Sequence, residues 1–198
     1  MGFGVKILIA CEESQAVTIE FRKRGHEAYS CDILECSGGH PEWHLQQDVL
    51  ELLKQKWDML IGHPPCTYLS NAGARFLYPK SVLNEERYLK GMEAKKLFMA
   101  LLNADVPKIC IENPLPSRIF GLPEHSQVVQ PYEHGHPFKK RTQLWLKNLS
   151  PLLATEIVCK TESTKIPGNW FNKGGNDRQR NRSKTFPGIA KAMAEQWG

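Results

Sequence analysis

Apolar residues along this chain fall into short unbroken runs that alternate with helical spacings, the pattern of strands interleaved with helices. Val5-Lys6-Ile7-Leu8-Ile9-Ala10 opens as a β-branched strand. The turn Cys11-Glu12-Glu13-Ser14 leads into a helix carrying Val17, Ile19 and Phe21. Arg22, Lys23 and Arg24 crowd its end before Gly25, the cationic last turn and glycine stop that terminate helices. Glu27 to Asp32 forms a second strand that ends in an acid. This β–turn–α–β–Asp order is the opening of a Rossmann-like nucleotide site, where a strand-end acid takes ribose hydroxyls. Asp32 reads equally well as a cap or turn residue.

The alternation continues. Asp48 heads the short amphipathic stretch 49–54 and fits its N-cap. Residues 58–61 predict a buried strand that Gly62 breaks, and Pro64 and Pro65 stiffen the turn after it. Cys66 is thereby presented at the strand's C-terminal end, where open α/β sheets place ligands and chemistry. The plainer alternative is an incidental core thiol. Residues 68–75 are polar and small, a loop over the site. Residues 84–103 have the broad apolar face of a helix. Lys108 to Ile111 is another buried strand, ended by Glu112-Asn113-Pro114. A glutamate buried there is expected to have a raised pKa and to serve as an acid; a surface turn is the alternative. Strands follow at 127–132 and 142–146, separated by a basic loop, and Pro187 starts a closing helix over 186–197.

Composition narrows the setting. The chain has 198 residues, enough for one domain with a real core. No window approaches the ~20 apolar residues of a membrane span, and no signal peptide is evident, so a cytoplasmic protein of a bacterial or phage-infected cell is expected. Six unevenly spaced cysteines argue for reduced thiols there. Cys31, Cys36, His40 and His44 have a poor spacing for zinc, so no metal is expected. Residues 160–184 hold seven basic and two acidic residues, which accounts for the whole net charge of +5. Trp170 and Phe171 lie within this basic segment, which also carries Arg178, Arg180 and Arg182, residue types that contact phosphates and stack on exposed bases. A solvated basic segment is the alternative.

Pro64-Pro65-Cys66, then Glu112-Asn113-Pro114, then Lys139-Lys140-Arg141-Thr142-Gln143-Leu144-Trp145-Leu146, resembles the motif succession of cytosine-5 DNA methyltransferases, more closely the short phage and prophage methyltransferase-like proteins. The resemblance covers about residues 5–148. It implies a Rossmann-like S-adenosylmethionine-dependent methyltransferase fold: α/β, with a mostly parallel central sheet and flanking helices. Residues 1–150 would form the catalytic domain, and residues 151–198 a basic segment and closing helix packed on it.

By that resemblance Cys66 is the nucleophile that adds to carbon 6 of cytosine. Glu112 engages ring N3, and Arg141 helps fix the base. Cys11, Glu12, Asp32, Asp48 and Pro64 would line the S-adenosylmethionine site. Pro65, Asn113, Lys140 and Gln143, with Arg178, Arg180 and Arg182, would meet the substrate, single- or double-stranded DNA. The chain departs from the family in three places. Its first turn has no glycine, Gln143 stands for the family's second arginine and Lys139 for its leading glutamine, and no target-recognition domain follows. The last implies relaxed specificity, a single-stranded substrate, a recognition partner or a homodimer. The same chemistry on RNA or a free pyrimidine nucleotide, and a non-catalytic nucleic-acid binder, are the competing readings.

Overall fold

A computed structural model describes residues 4–159, 181 and 183–198. Seven strands form one mixed sheet: β1 (Lys6–Ala10), β2 (Glu27–Asp32), β3 (His44–Gln46), β4 (Met59–Gly62), β5 (Lys108–Pro114), β6 (Gln127–Val129) and β7 (Thr142–Lys147). Their order is β3-β2-β1-β4-β5-β7-β6. The first five run parallel, and β7 lies antiparallel between β5 and β6. The central strands are continuous apolar runs because both faces are covered: Ile7, Leu8, Ile9, Met59, Leu60 and Ile61 are wholly buried. The architecture is α/β with a mostly parallel, Rossmann-like sheet.

Helix α1 (Ala16–Arg22) and the closing helix α4 (Pro187–Trp197) pack on one face, through Val17, Phe21, Ile189, Met193 and Trp197. Pro187 occupies the first turn, where its missing N–H leaves no hydrogen bond unmade. The Arg24 guanidinium meets Glu195 at 2.7 Å, and the Trp197 indole N–H donates to the Ser150 carbonyl at 3.0 Å, tying α4 to the segments after α1 and β7. Helices α2 (Val49–Leu52) and α3 (Glu85–Leu102) cover the other face with Leu52, Phe98 and Leu101. Asn84 caps α3, accepting from the Arg87 N–H at 3.0 Å. Among the described residues, no helix is long and apolar enough to cross a membrane.

Three elements differ from the sequence-based expectation. Strand β5 does not stop at Ile111: antiparallel β7 pairs Glu112 with Leu144, Asn113 with Gln143 and Pro114 with Thr142, so Glu112 lies inside a strand. Strand β6 is short because Pro131 starts a 3-10 turn. Residues Asn71–Phe76 form a 3-10 helix, not an open loop. It is held to the segment after β5, where the Asn71 N–H donates to the Leu115 carbonyl at 2.8 Å and the Ser117 N–H to Leu69 at 2.7 Å.

Candidate active site

The sheet's connections lead outward in both directions from the β1–β4 pair, which makes this the topological switch point. The crevice outside the carboxyl ends of such strands is where doubly wound sheets bind ligands. The β1–α1 turn lacks glycine, yet Cys11 and Gln15 take left-handed backbone angles (φ 59° and 57°). That conformation costs an ordinary residue about 1–2 kcal/mol, so neighbouring contacts must hold it. The wholly buried Gln15 amide donates to Ser30 Oγ at 3.2 Å and to the His40 carbonyl at 2.8 Å, and accepts from the His40 N–H at 3.0 Å. A Cβ on Gly38 would stand 2.5 Å from Gln15 Cβ and 2.6 Å from the Ser14 carbonyl oxygen. The glycine needed for close approach thus comes from the loop pressed on the turn.

Of the residues expected at a cofactor, Cys11, Asp32 and Asp48 converge. The Cys11 thiol is pushed up to about 12, by burial first and then by the charges of Asp32, Cys31 and Asp48. Asp32 accepts from the Leu34 N–H at 2.9 Å, and Asp48 caps α2, accepting from the Leu50 N–H at 2.9 Å. Beside these acids Ile33 (74%), Leu34 (56%) and Leu50 (41%) expose apolar surface. Glu12 turns the other way. Its buried carboxylate accepts from the Val17 N–H at 2.7 Å, the Thr18 N–H at 3.2 Å and the Thr18 hydroxyl at 2.8 Å, so it is engaged by the start of α1.

Pro64 is buried, Pro65 exposed and Cys66 half-buried. The Cys66 carbonyl accepts from the Leu69 and Ser70 N–H groups at 3.1 and 2.8 Å, closing the turn. Asn113, wholly buried, donates its amide to the Pro64 carbonyl at 2.9 Å and so pins this turn to β5. On the opposite face of β5 the Glu112 carboxylate lies 3.5 Å from His63 Nδ1. Cross-strand Asn113 and Gln143 each keep a buried amide oxygen without a partner, as does His63 Nε2.

Glu112 corrects the sequence-based expectation. Burial alone would raise its pKa. The His63 hydrogen bond, the charges of Lys140 and His63 and the Thr142 hydroxyl outweigh burial and hold the carboxyl below its ordinary value. It rests as a carboxylate, not as an acid. Burial likewise works to lower the His63 pKa, but the hydrogen bond and charge of Glu112, and then the charge of Glu12, prevail over Lys140 and raise it. Glu12 shifts upward because its burial exceeds the effect of His63 and its helix-end hydrogen bonds.

Arg141 is exposed, whereas Lys140, the residue before it, is the cation whose charge reaches Glu112 and His63. Sequence reasoning missed His63. Its signal was its place two residues after Ile61, on the same side of the strand alternation and directly before the proline pair. Arg178, Arg180 and Arg182 lie outside the described residues. His44 is engaged at both nitrogens, with Ser30 Oγ at 2.8 Å and the Leu34 carbonyl at 2.9 Å, and His40 stacks on Trp43 at 3.9 Å.

Fold and site together define an α/β protein with a doubly wound, mostly parallel sheet, two acids flanked by exposed apolar side chains at its switch point, and a cysteine turn locked to the strand that carries the histidine–glutamate pair. No protein-family model matches the chain, and no curated protein matches it significantly.

Proposed function

We propose that this protein transfers a methyl group from S-adenosylmethionine to carbon 5 of cytosine in DNA, through a covalent adduct on Cys66. One observation carries the reading: the hydrogen bond from Asn113 to Pro64 binds the Pro-Pro-Cys turn to the strand bearing Glu112. A nucleophile and a carboxylate that must grip one pyrimidine ring are thus held by one rigid unit, and such positioning is a large share of catalysis.

The side chains at the switch point suit the cofactor's adenosine. Asp32 and Asp48 suit a ribose diol and an amine and repel phosphate, so they favour a nucleoside cofactor without phosphates. Ile33, Leu34 and Leu50 offer apolar surface to a flat ring. When bound, S-adenosylmethionine supplies an electrophilic methyl on a sulfonium. The chain's residues do the rest. Cys66 Sγ bonds to carbon 6, and the ring's 5,6 π-pair moves toward N3 and carbon 5. Glu112 accepts a hydrogen bond from the 4-amino group and fixes the ring. Lys140 and Gln143 border it, and Arg141 faces outward toward the nucleic acid. The basic stretch around Arg178, Arg180 and Arg182 supplies phosphate contacts, and a duplex base would have to be flipped out to reach Cys66.

Oligonucleotides carrying 5-fluorocytosine test this, because the fluorine blocks release of the adduct. With S-adenosylmethionine present, the protein should gain the mass of the methylated oligonucleotide, and Cys66→Ala should not. A Cys66→Ala protein that still transfers methyl groups would overturn the covalent mechanism.

A further inference from the structure

Adding a thiolate to carbon 6 places negative charge on the ring, and a proton on N3 absorbs it. The resting structure gives Glu112 no proton to offer. It is a carboxylate with an imidazole at 3.5 Å, a lysine nearby and a hydroxyl beside it. The proton must come from elsewhere, and of the two side chains that hydrogen-bond Glu112, His63 and Thr142, the imidazole is the one that titrates near neutral pH.

His63 is built into position. Its N–H donates to the Ala10 carbonyl at 2.9 Å, which joins the ends of β1 and β4 beneath the site. Pro64 follows and restricts its backbone. Its side chain is 8% exposed, so bulk water does not readily exchange its proton. Three charged groups face it, each from a different element: Glu12 from the turn after β1, Glu112 from β5, and Lys140 from the segment before β7. The Glu112 carboxylate at 3.5 Å favours the imidazolium against the opposing charge of Lys140. Its Nδ1 points at Glu112, while Nε2 is buried without a partner. A histidine kept only for packing has no need of a carboxylate partner, and burying such charges is costly unless they are used or paired.

We infer that His63 is a proton relay acting through Glu112: its Nδ1 proton passes to Glu112 as Cys66 adds to the base, and returns when the adduct breaks down. This rests on the function proposed above. Protons and electrons balance. As Sγ–C6 forms, the 5,6 π-pair shifts, N3 takes a proton from Glu112, and Glu112 takes the His63 proton, leaving a neutral imidazole. Carbon 5 then bonds the methyl as the methyl–sulfur bond of the sulfonium breaks, its electron pair staying on the departing thioether. On elimination Sγ leaves carbon 6 as a thiolate, the carbon 5 proton departs to solvent, and the N3 proton travels back through Glu112 to His63. His63 touches no substrate and is a positioning and relay residue, not a catalytic one.

The test is the rate of adduct trapping on a 5-fluorocytosine oligonucleotide with S-adenosylmethionine, measured across pH. His63→Asn keeps a donor near the Nδ1 position but has no proton to give. Its trapping rate is expected to fall about 10²-fold with little change in KM, and to lose the alkaline decline shown by the parent. In the unaltered protein, the midpoint of that decline should coincide with the His63 titration followed by ring nitrogen NMR, a readout that does not depend on the variant folding. Equal rates and pH profiles for His63→Asn and the parent, or an NMR midpoint displaced from the decline, would overturn the relay while leaving the Cys66 chemistry standing. No adduct in the parent protein would overturn the functional reading and the relay with it.

Discussion

Removing the Asn113 amide separates the turn from the strand. Asn113→Ala deletes the 2.9 Å bond to the Pro64 carbonyl and leaves that oxygen buried. A hydrogen bond contributes about 1 kcal/mol, and a buried orphaned partner costs about 1–3 kcal/mol. Part of this is returned, because Asn113 Oδ1 is already without a partner and disappears with the side chain. The net loss is therefore about 1–2 kcal/mol, a melting temperature lower by about 3–6 °C for a chain of this size. The effect on chemistry should be larger than that on stability. A turn free to shift by about 1 Å misplaces the thiol, which costs roughly 10² in rate. Asn113→Asp should do worse, since it sets a carboxylate against the same carbonyl. Thermal melts and adduct-trapping rates measured on the same samples check both numbers. An Asn113→Ala protein that melts and traps like its parent would refute the reasoning, because the turn would then be held by something else.

Gly38→Ala should loosen the first turn, since the new Cβ meets Gln15 and the Ser14 carbonyl within 2.6 Å. A loss of about 1–3 kcal/mol is expected from such overpacking, together with weaker S-adenosylmethionine binding by calorimetry. Gly188→Ala at the start of α4 would place a Cβ 1.8 Å from the His134 carbonyl oxygen, and chemical denaturation should show a loss at or above the top of that range. The ion pair predicts opposite pH signs for its two halves. Glu112 has a depressed pKa, so its stabilisation is present above the usual carboxylate value of about 4.3 and is lost as pH falls through the folded value. His63 has a raised pKa, so its stabilisation is full below about 6.5 and is lost as pH rises through the folded value. The stability gap between parent and Glu112→Gln should narrow on acidification, and that between parent and His63→Asn should narrow on alkalinisation. A gap independent of pH in either series would remove the pair.

Much of this fold is written locally. The apolar runs at residues 7–10, 59–61 and 109–111 are buried on both faces, so their hydrophobicity is continuous and easy to read. Asp32, Asp48 and Asn84 sit where a strand end or cap is chemically required. What escaped local reading depends on partners distant in the chain. The pairing of Glu112 with Leu144 extends β5 and could not be seen from Glu112-Asn113-Pro114 alone. The charge state of Glu112 is set by His63 and Lys140, neither of which is its neighbour in sequence. The glycine-free first turn looked unfit for close approach because the compensating glycine, Gly38, lies on another loop. Arg141 drew attention through motif spacing, but it is exposed, and half-buried Lys140 before it is the cation whose charge reaches Glu112.

The most direct test of the central claim is a transfer assay with methyl-labelled S-adenosylmethionine. Single-stranded DNA, duplex DNA, RNA and dCMP are offered in parallel, with Cys66→Ala alongside. Label on carbon 5 of cytosine in DNA, absent in the Cys66→Ala protein, is the predicted result. Label confined to dCMP or RNA, label persisting without Cys66, or a folded protein that labels nothing would contradict it.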